Sequence, residues 1–299
     1  MAERSVTDRD PGALPTGAAP EASGLFTRPA QSYVVPDSVI DAICADPAQP
    51  LTRICALVPE GATVLDIGAG NGNLARVLLR AGRCATLDAI EPSPFAAALC
   101  RPYYRTVHTA YAQDLLAAGQ LPAYDFVVLA DVIEHTSDPV SFLRGIDPLV
   151  RAGARVLLSV PNISFGAARL ALLNGSFDYV DSGLLEKTHL RFLTLKTARA
   201  VFGELGWTVE RVLRLQRSFT RVEFSRDQLR APRAVLRRLA ADAEARTYQH
   251  LFVLSATPGA GAPVFEEHGA TATAVRADLK LNRPLARLEE ALAALFARW

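Results

Sequence analysis

The nine residues from Val64 to Gly72 constrain this chain more than any others. An apolar strand carrying one acid, Asp66, runs into a turn with glycine at 68, 70 and 72, and a helical pattern starts at Asn73. Glycines let the backbone take left-handed conformations and come close to a ligand. Open parallel sheets bind ligands at such strand ends. A dinucleotide fingerprint needs its third glycine where Asn73 stands, so the spacing argues against a nicotinamide dehydrogenase. A pyrophosphate uses bare helix N-terminal amides. An aminoacyl sulfonium nucleoside needs close backbone contact and nearby carboxylates, and Asp66 meets that second need.

The pattern around this turn repeats. Apolar strands are predicted at 63–68, 85–91, 124–130, 155–160, 207–215 and 248–255, with a weaker one at 105–109. Helical stretches fall between them, for example at 73–81 and 95–100. Alternation of this kind predicts an α/β fold, a mostly parallel sheet with helices on both faces. After Pro161 the pattern loosens. Residues 162–195 mix Gly, Asn, Asp, Ser and aromatics, the signature of a lid or binding loop. An arginine-rich helical insert is expected at about 217–247, a Gly/Ala/Pro linker at 257–275 and an amphipathic C-terminal helix at 276–299. Residues 1–30 read as a disordered leader, which leaves 31–256 as the folded domain.

Half of the 299 residues are hydrophobic, enough for one buried domain with extensions. The formal net charge is +1, which gives no global pull toward nucleic acid. No apolar run is long enough to span a membrane, and no secretory signal pattern opens the chain. Cys44, Cys55, Cys84 and Cys100 show neither a C-x-x-C pair nor metal spacing, so reduced thiols in a cytoplasmic protein are expected.

Further along, Glu91-Pro92 ends the second strand, where an acid can accept both ribose hydroxyls of a nucleoside. Asp114, with Leu115 beside it, is placed either to accept from an adenine amino group while Leu115 flanks the ring, or to cap the helix that follows. Asp131 to His135 follow the third clear strand at the ligand edge. His135 is a general-base candidate there; otherwise it and Glu134 bond the loop or cap the helix starting near Asp138. His189, in the lid, is either a second base or an anchor packed on Phe192.

Taken in order, Val64–Gly72, Glu91, Asp114, Ala130–His135 and Ser159–Asn162 resemble the motifs of class I S-adenosylmethionine-dependent methyltransferases. The likeness covers about residues 63–215. Residues 183–194 resemble a bacterial small-molecule and glycan branch, similar to the ubiquinone-pathway O-methyltransferases. The resemblance implies a Rossmann-like seven-stranded sheet whose last strand, 248–255, is antiparallel; the lid insertion is read from the residues themselves, and the leader, the arginine-rich insert and the C-terminal helical extension lie outside the likeness. It implies cofactor contacts from Asp66, Gly68, Ala69, Gly70, Gly72, Glu91, Pro92, Asp114, Leu115, Ala130 and Asp131. In the ubiquinone-pathway O-methyltransferases, and in the small-RNA 2′-O-methyltransferases, an acid-x-x-Glu-His run and a later His can hold a divalent ion such as Mg²⁺, Mn²⁺ or Zn²⁺. The matching residues are Asp131, Glu134, His135 and His189, with Asp in place of the usual first Glu.

The expected reaction is therefore methyl transfer to an oxygen of a small molecule or glycan intermediate, with His135 and His189 as catalytic candidates. N-methylation, or a non-catalytic cofactor-binding subunit, are the alternatives. The arginines between Arg211 and Arg238, offset within that run only by Glu223 and Asp227, suggest either a solvated face or an anionic acceptor. No aromatic-interleaved basic motif points to nucleic acid. A homodimer is compatible with this reading.

Overall fold

The computed structural model describes residues 35–280 apart from 84, 258 and 260. The expected leader and most of the expected C-terminal helix lie outside the described residues. In chain order the elements are α1 (Asp37–Ala45), α2 (Pro50–Leu57), β1 (Thr63–Ile67), α3 (Asn73–Arg80), β2 (Thr86–Ile90), α4 (Pro94–Cys100), β3 (Thr106–His108), α5 (Ala112–Ala117) and β4 (Phe126–Ala130). Then come α6 (Pro139–Arg151), β5 (Arg155–Pro161), α7 (Gly166–Leu173), α8 (Leu195–Glu204), β6 (Thr208–Gln216), α9 (Arg233–Ala241), α10 (Ala243–Arg246), β7 (Thr247–Ser255), β8 (Val264–Gly269) and α11 (Ala272–Asp278).

The strands form one sheet in the order β3-β2-β1-β4-β5-β7-β6-β8. β7 runs antiparallel to both of its neighbours, and every other pairing is parallel. The central strands are apolar on both faces because both faces are covered. Leu65, Ile67, Val127 and Leu129 point into a core with α5, α6 and α8. Val64, Phe126 and Val128 point into a second core with the helices from α1 to α4. Local signals fix where helices start. Ser93 caps α4 and Asp138 caps α6, each with proline in the first turn. Thr194 and Thr197 form a capping box at α8.

Two expectations need correction. The sheet has an eighth strand, β8, and a further helix, α11, in place of most of the linker expected at 257–275. The Gly, Ala and Pro of this stretch read as a linker, and the glutamates of β8 suit an exposed segment as sequence alone. They are instead neutralised laterally: Glu266 pairs with Arg211 of β6, and Glu267 with Arg214 and Arg246. The helix expected to begin at 276 overlaps α11, which starts at Ala272.

The loosely patterned 162–195 segment contains α7 and shares a third core with the arginine-rich segment. Phe165, Leu170, Leu184 and Leu185 pack there against Phe219, Phe224, Leu229 and Ala245. Gly166 has to be glycine, since a Cβ would stand 2.3 Å from the Phe219 ring. The two segments are therefore one layer, seated over the strand ends by Asn162. Its amide nitrogen donates to the carbonyls of Glu244 and Thr247 at 3.1 and 2.8 Å.

Candidate functional site

At the end of β1 the chain makes three left-handed glycine steps, with φ of +77° at Gly68, +54° at Gly70 and +80° at Gly72. Each glycine is needed for its backbone, and two also for space. A Cβ on Gly68 would stand 2.8 Å from a methyl of Val132, and one on Gly72 3.2 Å from the Cα of Cys100. Nothing lies within 4 Å of where a Cβ on Gly70 would be, so the middle of the loop faces open space. Gly72 then caps α3 in the left-handed conformation.

Glu91 ties this loop to the next strand. Its two carboxylate oxygens accept from the amides of Gly70 and Ser93, each at 2.8 Å. Asp66 lies beneath the loop, 2% exposed, and Oδ2 accepts from the Tyr104 hydroxyl at 2.5 Å. Burial is the main reason its pKa is pushed up to about 7; the Tyr104 bond opposes the rise and the Glu91 charge adds to it. Tyr104 stands far from Asp66 in sequence, and no spacing signal marked it. Leu115 is buried. Asp114 is exposed, and the helix-cap alternative fails, because α5 has no side-chain cap.

The Asp66 pKa has a consequence for stability. A carboxyl whose folded pKa is raised above its unfolded value contributes stability at low pH that is lost as pH rises through the folded pKa. The wild type should therefore lose up to about 4 kcal/mol relative to Asp66→Asn between about pH 4 and pH 7. Urea denaturation of both proteins across that window measures the difference. Parallel pH dependences would show that Asp66 does not titrate there.

Beyond β4, the neighbour of β1, the chain turns sharply. Asp131 takes φ +56°, and a 3₁₀ turn, Ile133–His135, follows. Glu134 is 1% exposed, and neither of its carboxylate oxygens has a hydrogen-bond partner. Burial first, and the Asp131 charge second, hold its pKa well above the carboxylate range. Its backbone carbonyl accepts from the amides of Leu190 and Arg191 at 2.7 and 3.0 Å, which fastens the lid segment to the turn. His189 is thereby brought to His135, ring centroids 4.9 Å apart and edge to face. The Phe192 ring lies farther from His189, at 6.4 Å.

His135 Nδ1 is 3.2 Å from the Thr188 carbonyl, and His189 Nδ1 is 3.0 Å from that of Leu184. A carbonyl only accepts, so each Nδ1 donates to it, and each Nε2 lies outside that bond. Burial, then His189, lowers the His135 pKa, so this ring is neutral at pH 7. Neither Glu134 nor His135 caps the next helix, because Asp138 does so itself.

Glu134, His135 and His189 place one ligand atom each within 4.8 Å of one another. The expected fourth member, Asp131, stands outside that group. Ser159 Oγ donates to its Oδ1 at 2.7 Å, and Gln249 Nε2 donates to Oδ1 and Oδ2 at 2.9 and 3.0 Å. Ser159 opens the Ser159–Asn162 motif, whereas nothing in the sequence marks Gln249.

The arginine run is largely paired. Arg214 meets Glu244, Arg217 meets Asp46 and Arg230 meets Asp227. These bonds account for much of the run as structure. His250 lies in β7 and bonds Glu244.

A methyltransferase-domain family model matches residues 42–212, more than half of the chain. The chain is 30% identical over 136 residues to a ubiquinone biosynthesis O-methyltransferase of Xanthomonas axonopodis pv. citri, covering 44% of this chain and 56% of that protein. It is 31% identical over 159 residues to the protein of the same name from Sodalis glossinidius, covering 52% and 61%. The matched region is thus less than two thirds of the length of these relatives. A solved SAM-dependent methyltransferase from Archaeoglobus fulgidus, 16% identical, superposes with a TM-score of 0.50 over 72% of this chain and 93% of its own, a likeness of fold. Among the described residues, no helix is long and apolar enough to cross a membrane.

Proposed function

This chain belongs to that methyltransferase-domain family, and from this premise we propose that it moves a methyl group from S-adenosylmethionine to an oxygen of a small molecule or sugar intermediate. One observation carries the reading. The open glycine loop at the end of β1 and the Glu134–His135–His189 cluster beyond β4 lie on adjacent strands, and Val132 of the second turn packs on Gly68 of the first. Methyl-donor binding and proton chemistry thus share one edge.

The residues fit the donor. Gly70 leaves room for close backbone approach. Glu91 keeps two of its roughly four lone-pair positions for the ribose hydroxyls after binding Gly70 and Ser93. Asp66 supplies a carboxylate on the aminoacyl side. Methyl transfer is a displacement at an already activated carbon, so alignment and exclusion of water are the main tasks of the chain. The layer built from 162–195 and 217–247 supports the second task, because it is fastened across the strand ends.

A hydroxyl acceptor must also lose its proton. Neutral His135, with its Nε2 lone pair unengaged and its ring held through Nδ1, suits that role. The same cluster fits a divalent ion. Glu134 is a buried carboxylate without a partner, and the two imidazoles are each held through Nδ1, the usual outer-shell arrangement of a metal histidine. Bound by Glu134, His135 and His189, such an ion would lower the pKa of an acceptor hydroxyl. An amine acceptor would need neither device, which favours oxygen over nitrogen.

Calorimetric titration with S-adenosylmethionine, S-adenosylhomocysteine and NAD tests the donor. Micromolar binding of the first two and none of NAD is expected. Binding of NAD, or of neither sulfur ligand, would overturn the reading. A panel of phenolic and sugar acceptors, assayed with and without chelator, then tests the acceptor. Tight donor binding with no turnover would favour a non-catalytic subunit.

A further inference from the structure

We propose that Gln249 is a positioning residue: together with Ser159 it ties Asp131 back, so that the divalent-ion site consists of Glu134, His135 and His189 while Asp131 anchors the turn that carries them. The inference rests on the reading of that cluster as an ion site.

Asp131 is held in a conformation that L-residues avoid. Among the described residues only Lys280 shares its positive φ without being glycine. Such a backbone persists where the surroundings over-determine it. Here they do. Ser159 Oγ accepts from the Asp131 amide at 3.1 Å while donating to the Asp131 carboxylate, so one hydroxyl closes a ring on the residue. Gln249 straddles both carboxylate oxygens from the other side. The two anchors come from different strands. Ser159 lies opposite Ala130 across β4 and β5, and Gln249 lies opposite Pro161 on antiparallel β7.

The two neighbouring acids therefore have opposite circumstances. Asp131 has three hydrogen bonds to its carboxylate and stands outside the ligand cluster. Glu134, three residues on, has none and stands inside it. An aspartate is one methylene shorter than the glutamate that the resembling families use at this position, and Gln249 holds that retracted carboxylate. The consequence reaches the donor loop as well, because Val132, next to Asp131, packs on Gly68. Fixing Asp131 fixes both the ion-site turn and the wall of the glycine loop.

The test is Mn²⁺ titration of the chelator-treated full chain, with free ion followed by electron paramagnetic resonance. Asp131→Asn should keep the Mn²⁺ affinity within about 3-fold, while Glu134→Gln should lose about 100-fold or more. Gln249→Leu should release the carboxylate toward the ion, so that Asp131→Asn made in that background now costs about 10-fold, a coupling that a merely structural glutamine would not show. If Gln249→Leu does not fold, Gln249→Glu releases Asp131 by charge repulsion and serves the same cycle. Loss of affinity in the single Asp131→Asn variant, comparable to that of Glu134→Gln, would overturn the inference alone. So would the absence of coupling with Gln249. Failure of the wild type to bind Mn²⁺ would overturn the ion reading and the inference with it.

Discussion

Glu134→Leu should abolish turnover, by about 10³-fold or more, and yet raise the melting temperature of the chelator-treated protein. The two effects have one cause. The carboxylate is almost fully enclosed and neither oxygen has a partner, so in the absence of a cation it is a net cost. Leucine has similar bulk and nothing to desolvate. A buried polar group left without a hydrogen-bond partner costs about 1–3 kcal/mol, which leucine avoids. For a domain of this size that corresponds to roughly 2 to 12 °C. The gain should depend on pH in a definite sense. Because the folded pKa is raised, the wild type keeps its stability at low pH and loses it as pH rises, so the advantage of leucine should widen from pH 5 to pH 8. Saturating Mn²⁺ should reverse the order, since an ion that binds only the folded wild type stabilises only that protein. Scanning calorimetry with chelator and with Mn²⁺ measures all three. A lower melting temperature for the variant under both conditions would make Glu134 an ordinary structural residue.

Glu91→Ala should cost about 100-fold or more in S-adenosylhomocysteine affinity. The carboxylate organises the binding loop before any ligand arrives, through the Gly70 and Ser93 amides. Charge-assisted hydrogen bonds of this kind are each worth about 1.5–3 kcal/mol, and the ribose contacts are lost in addition. Glu91→Gln retains one acceptor oxygen and should fall between the two. Calorimetric titration of the three proteins gives the ranking. An affinity for Glu91→Ala within about 3-fold of wild type would mean that the glycine loop organises itself and that the ribose is held elsewhere.

The parts of this molecule legible in the sequence are those whose physics is local. The strand–glycine–helix turn at 64–73 declares itself because the backbone there needs residues without Cβ, and the central strands do so because they are apolar on both faces. The chemical types at 134, 135 and 189 were also legible. What they do was not, because a carboxylate's lack of partners depends on what the folded chain places around it. β8 is hidden by the Gly, Ala and Pro around it, and its acids find Arg211, Arg214 and Arg246 only in the folded sheet. The arginine run is the converse case: Asp46 and Glu244, which pair with Arg217 and Arg214, lie outside the run. Tyr104 and Gln249 act through contacts with Asp66 and Asp131, 38 and 118 positions away, and a hydrogen bond across that distance leaves no periodic trace.

The place of β7 in the sheet carries a consequence for how the chain is made. β5 and β6 are not neighbours; β7, synthesised last of the three, lies between them. On the ribosome, β5 therefore waits with one side unpaired while the following residues up to 255 emerge, about 5 to 20 s at ordinary elongation rates. Through that interval a nascent chain displays Val156 to Val160, buried in the finished fold, as an open apolar edge, the kind that recruits chaperones or other nascent chains. Codon choice or a stall between 217 and 247 would lengthen that exposure without altering any residue of the finished protein.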